Sequence, residues 1–413
     1  MNEINVHNNW DPLEEIWLGD CWPASFYDNI KNTETKDAFY QITEWTKKDL
    51  AAIQNKFEEF GVIVRRPTID ESNRNLYTLN EKSNILKKPP ICPRDKHGVV
   101  GNNLFVNGDL PECWEPIYTQ YEPSQVHRTQ NGTHNSIPNL NGADIVKLGR
   151  DIIFDHDPLL LTDFNREDCR IDERKNRIFK AVYDFERKEK RWFGDDYRLH
   201  FSTDGGHLDS CYMPVKEGVV LTTKHIDGYE QFMPGWKTIG IRSSSYMAEK
   251  ATFSNNNMLS KANSQGNITR NSPFIDKWQG NFSGMMDYAP AHFNSYVHQY
   301  CKDWIGDYKE TYFEVNVVPL DDKNLMCINT SSIFDGLFEK LEQEGITCHA
   351  VPWRTRGFWD GGIHCITLDV RRRGELTDYF PERKDYGIST VKSQLFYDTE
   401  SFFKEFNEWK SQR

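Results

Sequence analysis

The chain has 413 residues, enough for two or three ordinary domains at roughly 100–200 residues each, although α/β barrels and other cyclic folds reach this length as one unit. Fifty Lys and Arg against 62 Asp and Glu give a net charge of −12, which argues against a phosphate-binding surface and against a nucleic-acid partner. Apolar residues make up 38% and aromatic residues 13% of the chain, which excludes a disordered composition and predicts an aromatic-rich core under a polar surface.

The opening segment, MNEINVHNNW, has neither the basic nor the apolar region of a signal peptide, and no apolar run approaches the ~20 residues of a membrane-spanning helix. A cytoplasmic protein without a membrane partner is the expectation. EEIWLGD (14–20) reads as a strand. Residues 37–60 follow as a helix, with Ile42, Trp45, Leu50, Ile53 and Phe57 near helical spacing and Gly61 placed to take the left-handed conformation after it. GVIVRRP (61–67) is the next strand. Four strand pairs with tight polar turns come after it: HGVV-GNN-LFV at 97–106, DIVKL-GRD-IIF at 144–154, YMPV-KEG-VVLT at 212–222 and VNVVPL-DDK-NLMCI at 315–328. A helix over 332–344 carries Ile333, Phe334, Leu337, Phe338 and Leu341 on one face, with Ser331 or Ser332 as its N-cap. ITCHAVPW (346–353) and GGIHCITLDVRR (361–372) complete the strands. Repeated strand-pair, helix and strand units point to one cyclic α/β assembly. Two stretches break the pattern, 107–140 and 243–290, and loops this long inside a compact protein are functional or disordered.

No Gly-rich phosphate loop, HExxH or G-x-S-x-G is present. The nine cysteines (Cys21, Cys92, Cys113, Cys169, Cys211, Cys301, Cys327, Cys348 and Cys365) are odd in number and form no CxxC pair, so they read as reduced thiols and not as a disulfide framework or zinc site. What remains is a set of Cys, His and Asp on predicted strands. His364 and Cys365, adjacent in GGIHCITLDV, point to opposite faces of a strand, which disfavours a shared metal ion. His207 and Asp209, two apart in TDGGHLDSCYMP, share a face that sets an imidazole beside a carboxylate. Cys211 and His364 read as structural neighbours, and RRRG at 371–374 as a solvated or salt-bridged strand end.

NNWDPLEEIWLG at the N-terminus, CPRD at 92–95, GADIVKLGRDIIF at 142–154, GGHLDS at 205–210, KEGVVLT at 216–222 and above all GGIHCITLDVRRRG at 361–374 together resemble the amidinotransferase family of guanidine-modifying enzymes. The match touches most of the chain outside the two long loops. It implies an α/β fold: a single-domain pentein-type propeller over 1–413 with pseudo-fivefold ββαβ units and insertions at about 107–140 and 243–290. It further implies Cys365 as nucleophile, His207 as general acid and base, and Asp144 as the carboxylate that orients and charges His207. Asp95 and Asp209 grip the guanidinium. By the same resemblance the enzyme is a homodimer without cofactor or metal, and its partners are a guanidine donor, by default arginine, and an amine acceptor, by default glycine.

The residue types suit that chemistry. A guanidinium is a planar, resonance-stabilised cation that resists attack, so carboxylates must fix its plane while a thiolate approaches its central carbon. A free cysteine has a pKa of about 8.5, so a protonated histidine or the substrate cation must help to form the thiolate. Two other readings use the same residues: hydrolysis of the guanidine, as in arginine deiminase, and silent binding of a cationic amino acid by Asp95 and Asp209 alone. The donor's distal contacts also depart from the family, since VVLTTKHIDGYEQF and GDYKETYFEVNVV hold neither the Arg nor the serine pair found there. Residues 243–290 lie between these two places and are expected to form a substrate-facing lid or wall, with Ser243, Ser244, Ser245, Lys250, Lys261 and Arg270 as possible replacements.

Overall fold

A computed structural model describes residues 2–70, 86–107, 111–128, 140–155, 175–176, 179–180, 182–184, 187, 191–202, 207–210, 212–222, 233–240, 291–301, 304, 315–329, 336–359, 361–383 and 399–413. The 243–290 segment, Cys169, Cys211 and the two serines expected to cap a helix lie outside the described residues.

Five three-stranded sheets share one plan: the first strand pairs antiparallel with the second, and the second parallel with the third. They are β3 (His97–Val100), β4 (Asn103–Val106) and β5 (Val126–Arg128); β6 (Ile145–Leu148), β7 (Asp151–Asp155) and β8 (Arg198–Ser202); β9 (Tyr212–Lys216), β10 (Val219–Thr222) and β11 (Lys237–Gly240); and β12 (Val318–Pro319), β13 (Asn324–Ile328) and β14 (Thr347–Val351). The fifth sheet joins the ends of the chain, with β15 (Thr367–Arg372) antiparallel to β1 (Leu13–Leu18) and β1 parallel to β2 (Ile63–Arg65). All four predicted strand pairs are present, as are the four isolated strands. A parallel third strand requires a crossover, and among the described residues four sheets show helix in that place: α1 (Thr33–Glu59), α2 (Pro111–Tyr118), a single turn at Arg191–Phe193 between β7 and β8 and, between β13 and β14, a helix described below.

The turns follow from side-chain chemistry. Gly149, between β6 and β7, has φ +64° and lies so close to the chain that a Cβ there would stand 2.0 Å from the Thr377 carbonyl oxygen. Between β12 and β13, Asp321 Oδ1 accepts from Lys323 N and Asn324 N, both at 2.8 Å, which replaces the turn glycine with an aspartate.

Helix α1 begins earlier than its apolar spacing predicts, because Asn32 caps it by accepting from Thr35 N at 2.8 Å. It ends as expected, at Glu59, with Gly61 at φ +75°. Its buried face, including Phe39, Ile42, Leu50, Ile53 and Phe57, packs against α3 (Ala291–Tyr300). Of the helix expected over 332–344 the described part is α4 (Leu337–Gln343), entered through Gly336 at φ +63°; residues 332–335 lie outside the described residues. A last helix, α5 (Thr399–Ser411), ends the chain.

The core is rich in aromatics as the composition implies. Trp17, Trp22, Trp304, Trp353 and Trp359 are fully buried, and Trp17 stacks on Trp114 with ring centroids 5.2 Å apart. Strands β3, β6 and β10 are buried along their whole length, which is why they read as unbroken apolar runs. Among the described residues no helix is long and apolar enough to cross a membrane.

Candidate active site

Each sheet's first strand is entered through a short turn, and these turns carry the polar residues of the site. Single 3₁₀ turns lead into three of them: Pro93–Asp95 before β3, Gly142–Asp144 before β6 and Leu208–Ser210 before β9. Residues 315–317 precede β12 and residues 361–366 precede β15. The Gly142–Asp144 turn packs against both of the other 3₁₀ turns, and the Pro93–Asp95 turn also lies against β15. Asp95, Asp144, His207, Asp209 and Cys365 therefore all fall on this set of strand-entry turns.

Two strand-based expectations are corrected. Residues 361–366 are a turn, not the first half of β15: Ile366 N donates to Gly362 O at 3.2 Å and Thr367 N to His364 O at 3.1 Å. His364 and Cys365 consequently do not point to opposite faces of a strand. Both reach one oxygen, Asp209 Oδ2, the His364 Nδ1 at 2.8 Å and the Cys365 Sγ at 3.6 Å. His207 and Asp209 likewise do not share a strand face, because Leu208–Ser210 is a 3₁₀ turn and His207 stands just before it, half-buried. At 361–366 the Gly361–Gly362 pair weakens the strand propensity that the alternation argument assumed.

The electrostatics favour an ionised Asp209 beside neutral partners. Burial by itself would raise Asp209, but the His364 hydrogen bond, and with it the Arg94 guanidinium, holds it below the usual carboxylate value. Burial, then Arg94, push His364 down to about 4 against the pull of Asp209, so a neutral imidazole donates its Nδ1–H. Cys365 is 1% exposed; burial first, then Asp209, Asp95 and Cys92, push its thiol well above the ordinary range. Asp95 Oδ1 is buried with no hydrogen-bond partner among the described residues. A carboxylate oxygen left in that state beside an un-ionised thiol is a place prepared for a cation.

Beneath the 361–366 turn lies a buried ionic cluster. Asp369 pairs with Arg94 at 2.7 Å, Arg372 at 2.9 Å and Lys147 at 3.3 Å, which ties β15 to the entry turn of β3 and to β6. The three cations hold Asp369 far below its usual value despite its burial, and burial brings Lys147 down to about 8. Arg94 Nε also donates to His364 O at 2.9 Å and Thr367 O at 3.0 Å, bracing the turn from below. The RRRG run is thus a salt-bridged strand end, and one of its arginines turns inward. Arg372 is 1% exposed and bonds Asp11 O and Pro319 O besides Asp369, whereas Arg371 reaches Glu14 and Glu15 and Arg373 is exposed.

Asn316, Arg94, Asp369 and the His364–Asp209 bond were not singled out by sequence reasoning. Asn316 is fully buried; its Oδ1 accepts from His364 N at 2.9 Å and Cys365 N at 3.0 Å, and its Nδ2 donates to Cys365 Sγ at 3.1 Å. Sequence reading put it inside the predicted strand at 315–320; the structure places it two residues before β12, as Asp95 stands before β3 and Cys365 before β15.

No protein-family model matches the chain. Glycine amidinotransferase, mitochondrial, of Xenopus tropicalis is 39% identical over 417 residues, covering 91% of this chain and 84% of that protein. The chain belongs to the amidinotransferase family. As an amidinotransferase it is a transferase, and its likeness extends to inosamine-phosphate amidinotransferase 1 of Streptomyces glaucescens, 19% identical over 92% of this chain and 99% of the relative. The solved structure of SxtG, an amidinotransferase from Microseira wollei in the saxitoxin biosynthetic pathway, has the same fold with a TM-score of 0.55 at 16% identity, over 91% of this chain and 99% of that one.

Proposed function

We propose that this amidinotransferase moves the amidino group of a guanidine donor, L-arginine by default, to a primary amine, glycine by default, through a covalent S-amidino intermediate on Cys365. The observation that carries the reading is the buried, un-ionised Cys365 thiol beside the Asp209 carboxylate, 3.6 Å away, and the unpartnered Asp95 oxygen. A guanidinium entering between these carboxylates offsets the two charges that oppose the thiolate. The nucleophile is therefore activated by the substrate it attacks.

In the first half-reaction the Cys365 S–H proton passes to His207, the sulfur bonds the guanidino carbon, and the bond from that carbon to the donor's substituted nitrogen breaks. The departing amine takes the proton from His207. In the second half, His207 removes a proton from the acceptor amine, nitrogen bonds the amidino carbon, and the carbon–sulfur bond breaks to restore Cys365. Asp144, on the turn packed against the one that follows His207, steadies the imidazolium. On this reading the five sheets form the propeller of one catalytic domain, and two small molecules are the only partners the chemistry requires.

Incubation with arginine and glycine, with products resolved by mass, tests the proposal. Ornithine and guanidinoacetate are expected. Citrulline and ammonia without ornithine would instead establish a hydrolase, and saturable arginine binding without any product a binding protein.

A further inference from the structure

We infer that Asn316 is a catalytic residue of this site: its amide clamps the nucleophile turn and donates the hydrogen bond that receives the Cys365 thiolate. The inference rests on the covalent reading for its consequence in turnover, but the hydrogen bond to sulfur is testable without it.

Three independent observations carry it. The first is the saturation of a fully buried amide. Oδ1 accepts two successive main-chain N–H groups, His364 N at 2.9 Å and Cys365 N at 3.0 Å. Those two donors fix which end of the amide is oxygen, so the other end is an N–H donor, and it points to Cys365 Sγ at 3.1 Å and to Asp209 O at 3.4 Å. One side chain thus holds the nucleophile's backbone, its sulfur and the neighbouring turn.

The second is the space left for it. Gly362 lies so close that a Cβ there would stand 2.3 Å from Asn316 Oδ1, 2.6 Å from its Cβ and 2.7 Å from its Cγ. The turn approaches the amide to a distance only glycine allows.

The third is position in the repeated plan. Asp95, Asp144, Asp209 and Cys365 each sit in the turn that enters the first strand of a sheet, and Asn316 holds that place in the remaining sheet, two residues before β12. Four of these five groups are acids or the nucleophile. The fifth is the neutral donor that faces the sulfur.

The groups around Cys365 explain why a donor is needed there. Asp209, Asp95 and Cys92 all disfavour a negative sulfur, His364 is neutral, and the guanidinium of Arg94 acts on Asp209 and His364. Asn316 is the side chain that presents an N–H to the sulfur, from Nδ2 at 3.1 Å, beside the main-chain hydrogen bond of Gly362, which also favours the thiolate. A neutral donor stabilises the thiolate without repelling the incoming guanidinium, which a lysine or arginine in the same place would do.

The test compares wild type with Asn316→Asp, which keeps the shape and the two accepted bonds but turns a carboxylate oxygen to the sulfur, and with Asn316→Ala, which removes all four bonds without burying a new charge. The first readout is the pH dependence of Cys365 alkylation by iodoacetamide, followed on the Cys365 peptide. The Asp variant is expected to react about 10-fold more slowly at any pH below the thiol's titration, its profile displaced upward by about one unit. The second is single-turnover formation of the amidino adduct, expected to fall about 100-fold in both variants, while the donor concentration for half-saturation changes less than about 3-fold. Both variants alkylating with the wild-type profile and forming adduct at the wild-type rate would overturn the inference. A wild type that forms no adduct with any guanidine sinks the proposed function instead, and the alkylation profiles still decide whether Asn316 serves the sulfur.

Discussion

A thiol enclosed with two carboxylates is poorly suited to ionise alone, and this gives Cys365 and Asp95 opposite roles in the free enzyme. Cys365→Ala removes the only route to a covalent intermediate, so transfer is expected to fall ~10⁴-fold or more. The lost volume is small, and the midpoint of urea unfolding should stay near that of wild type. Asp95→Asn makes a less obvious pair of predictions. Donor kcat/KM falls by roughly 30-fold to 1000-fold, as expected when one partner of a buried charge pair is removed. In the free enzyme the same change takes away one of the charges that hold the thiol un-ionised, so iodoacetamide alkylates Cys365 faster than in wild type at the same pH. Loss of donor affinity together with slower alkylation would mean that Asp95 shapes the site and does not act through its charge.

At the scale of elements, the sequence showed the strands and turns far better than the entries to the strands. HGVV-GNN-LFV and its three counterparts are legible because a short apolar run, a polar turn and a second run have few other ways to pair. The turn at 361–366 was not legible, because what bends it is distant in sequence: Asn316 takes two of its N–H groups and Arg94 two carbonyls at its far end. Period-two alternation presumes sheet partners, and here side chains from two other units stand in for them. The cluster around Asp369 escaped notice for the same reason, since Arg94, Lys147 and Arg372 come from separate segments and each alone reads as a surface charge. Gly362→Ala and Gly61→Ala separate the two kinds of glycine. At Gly362 the added Cβ meets an amide fixed by four bonds, so activity should fall at least about 100-fold and stability by about 2 kcal/mol. At Gly61 nothing lies within 4 Å and only the left-handed φ of +75° is strained, which costs about 1 kcal/mol and leaves kcat untouched. Equal loss of activity in both would show that the close approach at Gly362 has no special role.

Across the whole molecule, two buried imidazoles set the acid limit of the fold. His97 and His364 are both brought down to about 4 by burial, and each sits in bonds that suit the neutral ring: His97 with Pro93 O at 2.7 Å and the Tyr118 hydroxyl at 2.6 Å, His364 with Asp209. A folded-state value below the unfolded 6.5 means that the unfolded chain binds protons first. Their contribution is complete above pH 6.5 and is lost as pH falls toward 4, about 3 kcal/mol for each when fully expressed. Urea unfolding free energy should therefore decline between pH 6.5 and 4.5, before Asp369, Asp209 and Asp151, whose values are held low, begin to protonate. A flat stability over that window would contradict the neutral assignment of both rings. The central claim is the covalent intermediate, and intact-mass spectrometry tests it most directly: the full chain is mixed with a guanidine it turns over, without acceptor, and quenched in acid. The account predicts a mass increase of one amidino group, mapped by fragmentation to Cys365 and discharged when an acceptor amine is added before the quench; an unmodified chain during active turnover, or an adduct on any other residue, would contradict it.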